Sequence, residues 1–134
     1  VSYNIDHVET NVLKASMRAG DIVDLYEEFE GELAEGNFLE EHLSTAERLC
    51  RDGIEDEHVK LENLWWYGAG SGRSYDVFLK HLAPKIKGEV EAVFTWEGGD
   101  SHSGLIIEDG VVTECDVELR VIRPKAKAKR KKAA

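Results

Sequence analysis

Residues 89–115, EVEAVFTWEGGDSHSGLIIEDGVVTEC, decide the fold. Val90, Ala92, Phe94 and Trp96 alternate with Glu89, Glu91, Val93 and Thr95, the period of a strand with one buried face. Residues 104–108, GLIIE, and 111–122, VVTECDVELRVI, form two further strand patterns. Asp109-Gly110 joins them and is a strong hairpin signal, because a type I′ turn needs positive φ at both central residues. EGGDSHS, residues 97–103, supplies the other turn. The C-terminal half therefore reads as an antiparallel meander.

Moving upstream, residues 75–83, YDVFLKHLA, read as a short helix capped by Ser74, with Pro84 just beyond its end. Residues 58–67, HVKLENLWWY, alternate as a strand. Val59, Leu61, Trp65 and Tyr67 share one face, and Lys60, Glu62, Leu64 and Trp66 share the other. Residues 38–51 form a helix with Leu39, Leu43, Ala46 and Leu49 or Cys50 inward, ended by Gly53. Residues 20–34 form another. There Ile22, Leu25, Phe29 and Leu33 make one stripe and Asp21 is the expected N-cap. Gly36 stops this helix and Asn37 caps the next. Residues 3–14 read as the first strand; Ile5 and Val12 differ in parity, so a bulge or an early end is expected.

The order β-α-α-β-α-β-β-β gives an α+β fold, with one antiparallel-rich sheet and helices on one face. A ferredoxin-like or split βαβ arrangement fits that order without being forced by it. Two segments follow: an acidic domain over residues 1–123 and a basic tail over 124–134. The tail, PKAKAKRKKAA, has no apolar side chain larger than alanine and is expected to be disordered on its own.

The formal net charge is −10, an average over two unlike parts. All 27 acids precede Pro124, against 11 Lys and Arg, while Lys125, Lys127, Lys129, Arg130, Lys131 and Lys132 follow it. Residues 21–62 hold fifteen acids against Arg48, Arg51 and Lys60. Asp24, Glu27, Glu28, Glu30, Glu32, Glu35, Glu40, Glu41 and Glu47 fall on or between the two helices. Carboxylates spread over a compact surface can imitate duplex phosphates and occupy a basic groove on a partner; the plainer reading is a solvated face that keeps the protein in solution. Trp66, set opposite two inward aromatics, is an expected anchor for a partner. The tail cations could bind nucleic-acid phosphates or fold back on the acidic helices.

Gly68, Gly70, Gly72, Arg73 and Ser74, between a strand and a helix, have the general layout of an anion cradle. The loop lacks the Lys-Ser/Thr pair of a P-loop, its spacing is G-x-G-x-G, and the acidic body repels phosphate. A hinge is the favoured reading, with a small phosphorylated ligand as the alternative. His102 with Ser101, Ser103 and Asp100 does not make a triad, which is assembled from separate elements. His7, His42, His58, His81 and His102 show no ligand spacing, so no metal or other cofactor is expected. Cys50 and Cys115 read as buried thiols in a reducing compartment. No stretch approaches the about 18 apolar residues of a membrane span, and VSYNIDHVET has no apolar leader core. A cytoplasmic, non-enzymatic protein is expected, an inhibitor or regulator of a nucleic-acid-processing complex of the sort mobile elements encode. Monomer and homodimer are both compatible with the sequence.

Overall fold

The computed structural model describes residues 4–33, 38–64, 70–96, 98–99, 101–118 and 121. The elements are β1 (Asn4–Arg18), α1 (Ala19–Phe29), α2 (Phe38–Arg51), β2 (His58–Lys60), β3 (Gly70–Ser71), α3 (Gly72–Val77), β4 (Lys87–Trp96), β5 (His102–Glu108) and β6 (Val111–Cys115). A π turn over Phe78–Leu82 and a 3₁₀ turn over Ala83–Lys85 extend α3. The class is α+β. One antiparallel sheet runs β2-β1-β4-β5-β6, with β3 also on β1.

The meander forms as its alternation requires. Val90, Ala92 and Phe94 of β4 and Leu105 and Ile107 of β5 are buried. Asp109 and Gly110 turn the chain with φ of 45° and 82°, as a type I′ turn demands. The third strand ends at Cys115, well before residue 122.

β1 is longer than its sequence pattern, and it carries bulges between Ile5 and His7 and between Thr10 and Val12. Each bulge shifts the parity by one, so Val8 between the bulges faces the core, as do Ile5 before them and Leu13, Ala15 and Met17 after them. On its other side β1 holds β2 through Ser16–Arg18 and β3 through Asn4 and Ile5. Of the strand expected over residues 58–67, His58–Lys60 is strand, 61–64 is not, and 65–67 lie outside the described residues. Past Lys60 the chain still tracks β1: the Leu61 N–H donates to Ala15 O, and the Thr10 hydroxyl donates to Leu64 O. Leu64 is buried, against the parity assigned to it; the chain past Lys60 is not strand, so the alternation does not carry on to it.

β3 and β4 are both antiparallel to β1 and lie on either side of it. They are therefore parallel to each other and joined through α3, a split βαβ unit. The helices cover one face: Phe78 packs on Phe94, Phe38 on Phe78, and Tyr75 on Phe94 and Trp96. Ile22, Leu25, Phe29 and Leu33 are buried as a stripe, although α1 ends at Phe29. Asp21 does not cap α1. It sits in the first turn and pairs with Arg18, the residue at the N-cap position. α2 has the bounds its periodicity predicted, and closes with Gly53 N–H to Cys50 O and Ile54 N–H to Leu49 O, a Schellman pair. α3 begins at Gly72, so Ser74 lies inside it rather than at its cap. Pro84 lies in the 3₁₀ turn; with no N–H to give, it ends regular helix a turn early, and the chain widens so that Ala83 N–H reaches Phe78 O. Gly36 and Asn37 and the tail 124–134 lie outside the described residues.

Candidate functional site

α1 runs AGDIVDLYEEF, and no Lys or Arg interrupts it. Its apolar stripe faces the core, so its acids must face out. Asp24, Glu27, Glu28 and Glu30 are exposed and Glu32 is half-exposed. α2 packs beside α1 and adds exposed Glu40, Glu41 and Glu47, followed in its last turn by Arg48 and Arg51. Glu41 accepts a hydrogen bond from Asn63 Nδ2 at 2.7 Å, which ties the far end of the surface to the edge of the sheet.

Tyr26 marks where the two helices pool their charge. Its ring is half-buried. Its phenol is held above the ordinary tyrosine value, first by desolvation and then by the negative charges of Glu30, Glu40 and Glu47. Carboxylates from both helices thus act on one hydroxyl. Tyr26 is an amphipathic side chain with an acidic rim, the composition of an interface anchor. The sequence reading missed it, because its exposure depends on how α2 lies against α1. Its place one turn from Ile22 and Phe29, at the margin of their stripe and beside Glu27 and Glu30, was the available signal.

Glu35, Trp66, Gly68 and the cations Lys125, Lys127, Lys129, Arg130, Lys131 and Lys132 lie outside the described residues. Gly70 belongs to β3, paired with β1, and Gly72 and Arg73 open α3 beside Ser74. The described part of the glycine stretch is therefore strand and helix.

The sheet face that no described helix covers carries a second set of acids. Cross-strand registers place Lys14, Glu89, Glu108 and Val111 in one row, Val12, Glu91, Ile106 and Thr113 in the next, and Glu9, Val93, Gly104 and Cys115 in the third. A shallow groove of about 270 Å³ runs between Val12, Ile106 and the carboxylates of Glu89, Glu91 and Glu108. The outward positions Glu89, Glu91 and Val93 of EVEAV were its signal in the sequence.

The histidines do not converge. His42 is buried at 5% exposure, with Nδ1 2.7 Å from Phe38 O and Nε2 accepting the Glu62 N–H at 2.9 Å. The two partners set its tautomer: a proton on Nδ1 and none on Nε2. His58 Nδ1 lies 3.0 Å from the Ser16 hydroxyl at an exposed site. His102 Nδ1 meets Thr95 Oγ1, whereas Ser103 accepts from Trp96 Nε1 on the opposite face of β5. His102 and Ser103 are thereby kept apart. Among the described residues no group of three His, Cys, Asp or Glu side chains could hold a metal. Cys50 and Cys115 are free and half-buried rather than fully buried. No helix among the described residues is long and apolar enough to cross a membrane.

Compared with protein-family models, curated proteins and solved structures, the chain matches none.

Proposed function

We propose that this is a non-enzymatic interaction protein that captures a basic protein partner on the α1–α2 surface, as an inhibitor or regulator of a nucleic-acid-processing complex. The observation that carries this reading is the pooling of charge across two helices around Tyr26. A continuous α1 without a cation, joined to acids of α2, presents exposed carboxylates over one helical surface. Such a patch can enter a groove built for phosphates, and long-range attraction raises the rate of encounter. The aromatic at its centre supplies the desolvated contact that charge alone lacks. The cytoplasm is the compartment in which such a partner would be met.

The test uses a fluorescein-labelled Lys/Arg-rich peptide as the basic probe, with binding mapped by amide shifts. Reversing Glu27, Glu28 and Glu30 to Lys together should weaken binding at least about tenfold, and Tyr26→Ala should weaken it with little change in salt slope. Unchanged binding in the triple variant, or shifts confined to Glu9, Glu89, Glu91 and Glu108, would remove the helical surface from consideration. The alternative, a nucleic-acid accessory role for Lys125–Lys132, calls for a labelled oligonucleotide against the full chain and one ending at Arg123. Binding by the full chain alone, falling steeply with salt, supports it.

A further inference from the structure

The two edges of the sheet are built differently. The β2/β3 edge is broken into runs of three and two residues, and the longer run carries Lys60. Short, interrupted and charged edges resist pairing with another chain. The β6 edge, VVTEC, is a regular run with no lysine, proline or bulge, and Val111 at its start is 67% exposed. We propose that β6 pairs antiparallel with β6 of a second copy, about a twofold axis at Thr113, to join the two sheets into one.

The hairpin geometry says which backbone groups are available. A two-residue type I′ turn makes Glu108 and Val111 a hydrogen-bonded pair. By alternation Thr113 and Cys115 also turn their N–H and C=O groups toward β5. Val112 and Glu114 therefore direct theirs outward, away from the sheet. With the axis at Thr113, Val112 of one copy meets Glu114 of the other, and each such pair exchanges both backbone hydrogen bonds. The side chains agree with that register. Thr113 meets Thr113, a favourable cross-strand pair. Val111 meets Cys115 on the uncovered face, so the exposed valine gains an apolar neighbour. Glu114 meets Val112 and not another Glu114, and no like charges stand opposite within the five residues.

Charge complementarity selects a second copy as the occupant. Antiparallel pairing sends the chain beyond Cys115 past the second copy's Val111 and toward its Asp109, Glu108 and Glu89. Residues 116–134 hold eight Lys and Arg against Asp116 and Glu118. The sequence that follows β6 is thus opposite in charge to that end of the other copy. The helical surface lies on the opposite face of the sheet and stays open, so the pair would present it twice.

The test is sedimentation velocity of the full chain from about 5 to 500 µM, a range set by the small area that one strand pair buries. Mass should rise toward that of a dimer, and less so in 0.5 M NaCl. Val112→Pro removes an outward N–H and no bond to β5, and should weaken association at least about tenfold. Val111→Lys, at an exposed position that keeps the fold, should do the same by placing a charge at the edge. Thr113→Cys, with Cys50 and Cys115 replaced by Ala, should form a covalent dimer on mild oxidation, because residues facing each other in a non-hydrogen-bonded pair are close enough for a disulfide. A chain that stays monomeric at the highest concentration overturns the proposal. So does a dimer that both edge variants leave intact and that Thr113→Cys fails to cross-link.

Discussion

His42 shows how one side chain can join two elements. Its ring lies between the first turn of α2 and the segment after β2, and both nitrogens have partners. His42→Leu keeps most of the volume and strands the Glu62 N–H. It should cost about 1–3 kcal/mol in urea unfolding and speed hydrogen exchange at the Glu62 amide. Unchanged exchange there would mean that the Nε2 bond contributes nothing. Tyr75 makes a different case. Burial first, and then the charge of Glu114 with its hydrogen bond, hold the phenol above its usual value. The unfolded chain therefore ionises first. The neutral phenol's contribution is complete below about pH 10 and fades as pH rises beyond it. Stability of the native chain should fall between about pH 10 and 11.5 more steeply than that of Tyr75→Phe. Parallel curves would show that Tyr75 does not carry this linkage.

At the scale of elements, backbone geometry separates what was legible in the sequence from what was not. The alternation of β4 and the Asp109-Gly110 turn predicted their own structure, because each is fixed by neighbours in sequence. The stripe of α1 and the bounds of α2 were legible for the same reason. The end of β2 at Lys60 was not, since it depends on how that segment lies against β1, a strand some forty residues away in sequence. The acids of α1 and α2 could be named from the sequence, but their convergence on Tyr26 could not, because it depends on the angle between two helices. Gly88 belongs to the illegible class. It adopts φ +100°, and a Cβ there would come 2.1 Å from Lys14 O on the adjacent strand. Gly88→Ala should cost about 3 kcal/mol or more, through both backbone strain and loss of the β1–β4 approach. Gly31→Ala, where a Cβ meets nothing within 4 Å, should shift stability by no more than about 0.5 kcal/mol. Urea midpoints of the two variants make the comparison; equal losses would contradict the close approach at Gly88.

Charge governs the molecule as a whole. The 27 acids against 11 Lys and Arg before Pro124 give a body that repels itself, most strongly across residues 21–62. Screening weakens repulsion between exposed charges once they lie beyond a Debye length, about 10 Å at 0.1 M salt and about 3 Å at 1 M. The fold should therefore gain stability as salt is added, the opposite of a protein held together by surface ion pairs. The Arg18 bridges to Asp21 and Asp56 will weaken with salt, but exposed pairs contribute about 0–1 kcal/mol and cannot reverse the trend. Replacing Glu27, Glu28 and Glu30 with Gln should raise Tm in 10 mM salt by a few degrees, and the gain should shrink toward zero in 0.5 M NaCl. Thermal unfolding of the two proteins at both salt levels gives the answer. A Tm advantage that survives high salt would assign the effect to helix propensity or packing. One that vanishes would show that these carboxylates are maintained at a cost to the fold, as expected of a surface kept for binding rather than for stability.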